Sequence, residues 1–111
     1  MDCVFCKIAK KEIPSDIVYE EGDFIAFKDV KPKAPVHILI IPKEHILTIR
    51  HLDPERGTLI GSLFLCAKQI AKEQGVSESG YRLIINAGEN AGQSVDHLHL
   101  HLLGGKQLPW P

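Results

Sequence analysis

The chain has 111 residues, 44 % of them hydrophobic, and a formal net charge of -1. That length holds one domain, here expected to span residues 1–111, and so small a charge gives no general attraction to nucleic acid or to an acidic membrane. No apolar run approaches a membrane span. Met1-Asp2-Cys3 lacks the basic-then-apolar pattern of a signal peptide, so an intracellular, cytoplasmic protein is expected. In a reducing compartment the three cysteines favour free thiols or metal ligands over a disulfide framework.

Asp2 is placed to cap a short helix running to about Lys10, with Val4, Phe5, Ile8 and Ala9 as its apolar side. Cys3 and Cys6 fall on one face of that helix. Pro14 and Ser15 end the segment. Ile17 to Glu20 reads as a strand, Glu21-Gly22-Asp23 as a hairpin turn, and Phe24 to Lys28 as the returning strand with Asp29 at its end. Pro32 and Pro35 make the next stretch a loop. Val36 to Pro42 is the most apolar strand, largely β-branched, and is expected in the centre of the sheet. His37 interrupts it, either as a hydrogen-bonded core residue or as a partner in catalysis. His45 and His51 lie in or beside a connecting loop and read as surface histidines.

Asp53-Pro54-Glu55 is a helix start, with a capping carboxylate followed by proline at the first helical position. Apolar residues then recur at helical spacing from Ile60 to Ala71, and Gly75 marks the end. Cys66 is expected in the core of this helix. Tyr81 to Asn86 reads as a fourth strand, and Ala87 to Ser94 as a polar, glycine-bearing turn. Val95 to Leu103 reads as the last strand. The expected fold is α+β: a five-stranded antiparallel sheet with two helices, packed on one of its faces. Residues 104–111 form a stiff tail carrying the single tryptophan, Trp110, and a tail this apolar is expected to dock on a neighbour.

The last strand carries the chemistry. In Val95-Asp96-His97-Leu98-His99-Leu100-His101-Leu102-Leu103, histidine and leucine alternate with period two. Leucines therefore face a core and three imidazoles share the other face. A merely solvated face would more cheaply use Thr, Lys or Glu. His97 and His101 stand about 13 Å apart on a straight strand, so one metal cannot take all three rings. A catalytic row fits better, because imidazole attacks, carries protons and binds metals near neutral pH. Gly92 allows close backbone approach before the row, and Gln93 and Ser94 add neutral donors. Neutral donors beside imidazoles suit a phosphate ester or amide. His99, flanked by a ring on each side, is the natural nucleophile; His101 stabilises phosphate charge or assists proton transfer, and Ser94 serves the leaving group.

His97-Leu98-His99-Leu100-His101-Leu102-Leu103 matches the histidine triad pattern, in which histidines alternate with apolar residues. The sequence resembles the histidine triad nucleotide-binding (Hint) branch of the histidine triad (HIT) superfamily over almost its whole length. Ala34-Pro35-Val36-His37, Ile41-Pro42-Lys43, Gly92-Gln93-Ser94-Val95, Leu103-Gly104-Gly105 and Trp110-Pro111 are among the segments that carry the likeness. The resemblance implies a HIT-like fold whose sheet extends across a homodimer, the tail reaching the partner. It implies a nucleoside phosphoramidase that cleaves the P–N bond of purine nucleoside 5′-phosphoramidates through a nucleotidyl-histidine on His99, releasing the monophosphate. His37, His101 and Ser94 support it. Asp29 is expected on the ribose hydroxyls, Asn86 near sugar and phosphate, and Phe5, Ile8, Phe27 and Leu39 around the base. Gly92 and Gln93 join the phosphate turn, and Trp110 the partner's site.

Some members of the branch bind zinc through an N-terminal Cys-x-x-Cys. Cys3 and Cys6 stand there in this chain, and the resemblance points to His45 and His97 as the other ligands of a closed, structural tetrahedral site. No organic cofactor is implied. His97 would then be a ligand, not a catalyst. Many relatives carry an aromatic residue before the first triad histidine, where this chain has Asp96; it lies with the leucines by strand parity, or at an irregular strand entrance. Two other functions compete with the phosphoramidase: a non-catalytic purine-nucleotide binding or regulatory module, and a dinucleoside polyphosphate hydrolase.

Overall fold

The structure is a computed structural model and describes residues 3–110. The expected Asp2 cap lies outside them. Helix α1, Val4–Ala9, instead takes its N-cap from Cys3, whose extended backbone (φ −106°) lets Sγ accept the Cys6 N–H. Strands β1 (Ile17–Glu21) and β2 (Phe24–Lys28) form a hairpin. Gly22 turns it at φ +57°, a conformation that suits a residue without Cβ. β3 is Val36–Pro42, β4 Tyr81–Ile84 and β5 Leu100–Gly104. All pairings are antiparallel, in the order β1-β2-β3-β5-β4, so the most apolar strand is central as expected. No helix among the described residues is long and apolar enough to cross a membrane.

Strand alternation splits the sheet into two faces. Ala26, Ile38, Ile40, Leu100 and Leu102 point to helix α2 (Gly57–Glu73), where they meet Leu63, Ala67 and Ile70. Ile25, Phe27, Leu39 and Ile41 point the other way and meet Phe5 and Ile8 of α1. The helices therefore cover opposite faces, not one. Each fully buried Ile or Leu here contributes on the order of 2 kcal/mol, so both helices are held by packing more than by their own propensity.

Other boundaries shift for local reasons. Asp53 makes no capping bond; a 3₁₀ turn, Pro54–Arg56, precedes α2. Cys66 is half-buried at the margin of the core and not within it. β4 stops at Ile84, short of Asn86. The largest shift is in the histidine segment, where only residues from Leu100 onward are strand. β3 and β5 pair only as far as Ile40 and Leu100. Beyond that point Leu98 N–H turns to the Ile46 carbonyl, His97 N–H to Val95, and the Pro42 carbonyl is taken by a side chain, the His97 ring. The alternation persists all the same: His97 and His99 pack against Phe5 of α1, while Leu100 and Leu102 lie on the α2 face. Asp96 is exposed in the bend, at an irregular strand entrance.

Candidate functional site

A cavity of about 340 Å³ opens between α1 and the histidine face of the sheet. Phe5, Ile8, Phe27 and Leu39 give it an apolar wall, and Asp29, Ser94, His99 and His101 a polar one. The Phe5 ring stands edge-on to His99 at 5.2 Å between centroids and to Phe27 at 5.3 Å. This edge-to-face packing fixes the plane of the imidazole.

Hydrogen-bond partners assign each ring its proton. A carbonyl oxygen only accepts, so His99 Nδ1, 2.7 Å from the His97 carbonyl, carries the hydrogen. Its Nε2 is left with a lone pair. His37 Nδ1 lies 3.1 Å from the Lys33 backbone N–H and accepts it, which puts the His37 proton on Nε2. That proton reaches His101 Nδ1 at 3.0 Å, so neutral His101 carries its own on Nε2. Asp29 Oδ2 lies 3.3 Å from the same His37 Nε2, close enough to act on it electrostatically. Burial lowers the pKa of His37 despite the opposing pull of Asp29. Burial, with the neighbouring His99 and His37 rings, lowers that of His101 to about 4. At neutral pH His37 and His101 thus form a relay of uncharged imidazoles running from a backbone N–H toward the cavity.

His97 is fully buried and does a different job. Its Nε2–H donates to the Pro42 carbonyl at 2.8 Å, which leaves the Nδ1 lone pair free. Nδ1 is 3.4 Å from Cys3 Sγ and 3.6 Å from Cys6 Sγ, while His45 Nδ1 is 3.2 Å from Cys6 Sγ. A tetrahedral zinc site separates sulfur from nitrogen by about 3.5 Å. The four ligand atoms, all within 4.8 Å of one another, therefore fit such an ion. Burial and the Cys3 thiol push the Cys6 thiol pKa up, a penalty on the thiolate that a bound cation offsets. His45, which read as a surface residue, belongs to this half-buried cluster. Asp29, His37 and His101 form a second compact group, but the Lys33 N–H fixes a proton on the His37 nitrogen that would have to ligate.

Of the remaining expected residues, Asn86, Gly92, Gln93 and Trp110 fall outside the cavity wall. Asn86 Nδ2 donates to the Ala91 carbonyl at 2.9 Å, across the turn. Gly92 ends that turn at φ +79°. Gln93 is consumed as a brace: its Oε1 accepts Gly88 N–H at 2.8 Å, and its Nε2 donates to the Leu47 and Val95 carbonyls at 2.7 and 3.0 Å. Ser94, next along, is exposed on the cavity side. Trp110 is 92 % exposed and does not meet the cavity of its own chain. His51 is exposed and bonds only to Thr48. Residues not anticipated also line the cavity, among them Val4, Ile13, Ser15, Val30 and Val95. Val95 shares the parity of the histidines, a signal already present in the sequence. The orienting groups on Lys33, Pro42 and His97 are backbone atoms and left no such signal.

Two imidazoles in relay, a third with its lone pair bare beside an apolar cleft, and a fourth turned into a thiol cluster define a histidine triad protein. The family model described as "Scavenger mRNA decapping enzyme C-term binding" matches residues 2–109. An uncharacterized HIT-like protein of Synechococcus elongatus is 52 % identical over 110 residues, covering 99 % of this chain and 96 % of its own. Among solved structures, a HIT family hydrolase from Legionella pneumophila superposes with a TM-score of 0.96 at 48 % identity, over 99 % of this chain and 98 % of its own. A histidine triad nucleotide-binding protein from Candida albicans does so with a TM-score of 0.83 at 33 % identity, over 99 % and 83 %. The chain belongs to the histidine triad (HIT) superfamily.

Proposed function

We propose that this protein is a nucleoside phosphoramidase of the Hint branch, a hydrolase of purine nucleoside 5′-phosphoramidates. The observation that carries the reading is the tautomer of His99: with Nδ1–H held by the His97 carbonyl, the Nε2 lone pair is the nucleophile a phosphorus centre needs. The relatives named above as a hydrolase and as a nucleotide-binding protein support the same class.

In the first step His99 Nε2 attacks the α-phosphorus and a P–N bond is exchanged for another. The amine leaves with a proton that Ser94, exposed beside it, passes on from solvent, and the positive charge of the nucleotidyl-histidine rests on the His99 ring. His101 Nε2–H donates to a phosphoryl oxygen, and the His37–His101 relay keeps that donor aimed. Water then attacks the nucleotidyl-histidine, which returns His99 neutral and releases the nucleoside monophosphate. The apolar wall of Phe5, Ile8, Phe27 and Leu39 takes the base, and Asp29 the ribose hydroxyls. Gly92, Gln93 and Asn86 shape the phosphate turn through the backbone they hold. Zinc on Cys3, Cys6, His45 and His97 supplies a structural cross-link; the chemistry rests on the imidazoles.

The single domain is proposed to work as a homodimer. β4 pairs only with β5, so its outer edge offers unpaired backbone groups to a second copy, and continuing the sheet there satisfies them. The Pro109 carbonyl is held by Arg82 of β4 at 2.6 Å. The tail, which leaves the sheet after Gly104, thus passes beside β4, and exposed Trp110 is proposed to reach the partner's site. Three unpaired thiols suit a cytoplasmic setting.

Hydrolysis of adenosine 5′-phosphoramidate by the wild type and by His99→Gly tests the reading. Turnover is expected in the first and absent in the second, with both equally folded. Absence of turnover in both, with the monophosphate still bound, makes the protein a binding module. Preference for a dinucleoside polyphosphate moves it to another HIT branch.

A further inference from the structure

His37 has one proton on Nε2, hydrogen-bonded to His101, with a carboxylate oxygen also within reach of it. His101 Nδ1 is 3.0 Å away and Asp29 Oδ2 3.3 Å away. The other nitrogen of His37 is committed to the Lys33 N–H, and the other oxygen of Asp29 to the Lys31 N–H at 2.9 Å. The His37 side chain is 1 % exposed, that of Asp29 18 %. Asp29 alone of this pair therefore meets the cavity, and it is the carboxylate that competes with His101 for the buried proton.

We propose that Asp29 is a positioning residue that couples the sugar to the imidazole relay, so that a bound ribose acts on the chemical step as well as on affinity. The proposal rests on the nucleotide reading above. When ribose hydroxyls donate to Asp29, the carboxylate becomes a weaker acceptor, and His37 Nε2–H passes wholly to His101 Nδ1. His101 is then locked in the tautomer and orientation that present Nε2–H to the phosphoryl oxygen. No covalent bond is made or broken in this adjustment; the pull of the carboxylate on the His37 proton is relaxed. An empty sugar site leaves the relay divided.

The test compares adenosine 5′-phosphoramidate with its 2′,3′-dideoxy analogue. On the wild type the dideoxy substrate is expected to lose kcat about tenfold, the scale of one charge-assisted hydrogen bond, in addition to a raised KM. Asp29→Asn keeps an acceptor for the Lys31 N–H and removes the charge; in it the two substrates should share one kcat. Equal kcat on the wild type overturns the coupling and leaves Asp29 a uniform binding group. Imidazole ¹⁵N spectra read the same bond without turnover. Adenosine monophosphate should shift His37 Nε2 and His101 Nδ1 further than the dideoxy monophosphate, whose phosphate reaches His101 alone, and identical shifts with both overturn the proposal. If neither phosphoramidate turns over, the phosphoramidase reading falls while these spectra still decide the coupling. If neither monophosphate binds, both fall.

Discussion

Acid should destabilise this fold through His101 in a range where most carboxylates remain charged. Burial, helped by the neighbouring His99 and His37, lowers its pKa from the ordinary 6.5 to about 4, and Asp29 opposes this only in part. The unfolded chain takes up the proton as pH falls through 6.5; the folded chain resists until about 4. The favourable contribution is therefore complete above the unfolded value and lost on the way down to the folded one. At about 1.36 kcal/mol per tenfold change in proton affinity the full loss is ~3 kcal/mol, and solvent at the cavity mouth reduces this to ~2 kcal/mol. Urea unfolding of the wild type and of His101→Gln, near pH ~7.5 and near pH ~4.5, measures it. Groups remote from the relay are common to both proteins, so the difference between the two pH dependences belongs to His101 and the hydrogen bond it shares with His37. The wild type should lose about 2 kcal/mol more than the variant. Parallel curves, or a steeper fall in the variant, would refute the neutral relay.

Protein purified without chelator should carry about one zinc per chain. Cys3→Ser should lose the metal and lower the melting temperature by roughly 5 °C or more through loss of the cross-link alone, because a serine oxygen still caps α1; equal metal content in the variant counts against the site. Gln93→Ala removes three hydrogen bonds between the turn, Leu47 and Val95. It should cost about 1–3 kcal/mol and speed hydrogen exchange over residues 88–95, and unchanged exchange there would deny Gln93 its bracing role. A Cβ on Gly104 would sit 3.1 Å from two carbons of Val76. Gly104→Ala should destabilise by ~1–2 kcal/mol, and the double variant with Val76→Ala by less than the sum of the two single changes. Additive costs would mean that the clash is relieved elsewhere.

Much of this molecule is legible in one dimension. β2 and β3 have the boundaries that their apolar runs predict, and the hairpin turn falls on Gly22. Period-two alternation around His99 survives even where the ladder does not, because side-chain parity needs only an extended backbone. The sequence also supplies the rings that could attack or relay, and the pair of sulfurs one helical turn apart.

What it leaves open are facts about backbone atoms and about which face a distant segment covers. Apart from the family resemblance, nothing in the residue types near His45 marks it as a neighbour of Cys6, since 39 positions of chain separate them. Nor does parity reveal that α1 and α2 take opposite faces, because each helix has one apolar side and either face of this sheet is apolar. The three imidazoles of the last segment are the same side chain in the sequence. Only the folded backbone makes them different, by setting a carbonyl of Pro42 against one, a carbonyl of His97 against the next, and a histidine from β3 against the third. Residue identity determined that this protein would have imidazole at those positions. Tertiary structure decided which nitrogen of each ring keeps its proton, because a tautomer is set by the partner it faces.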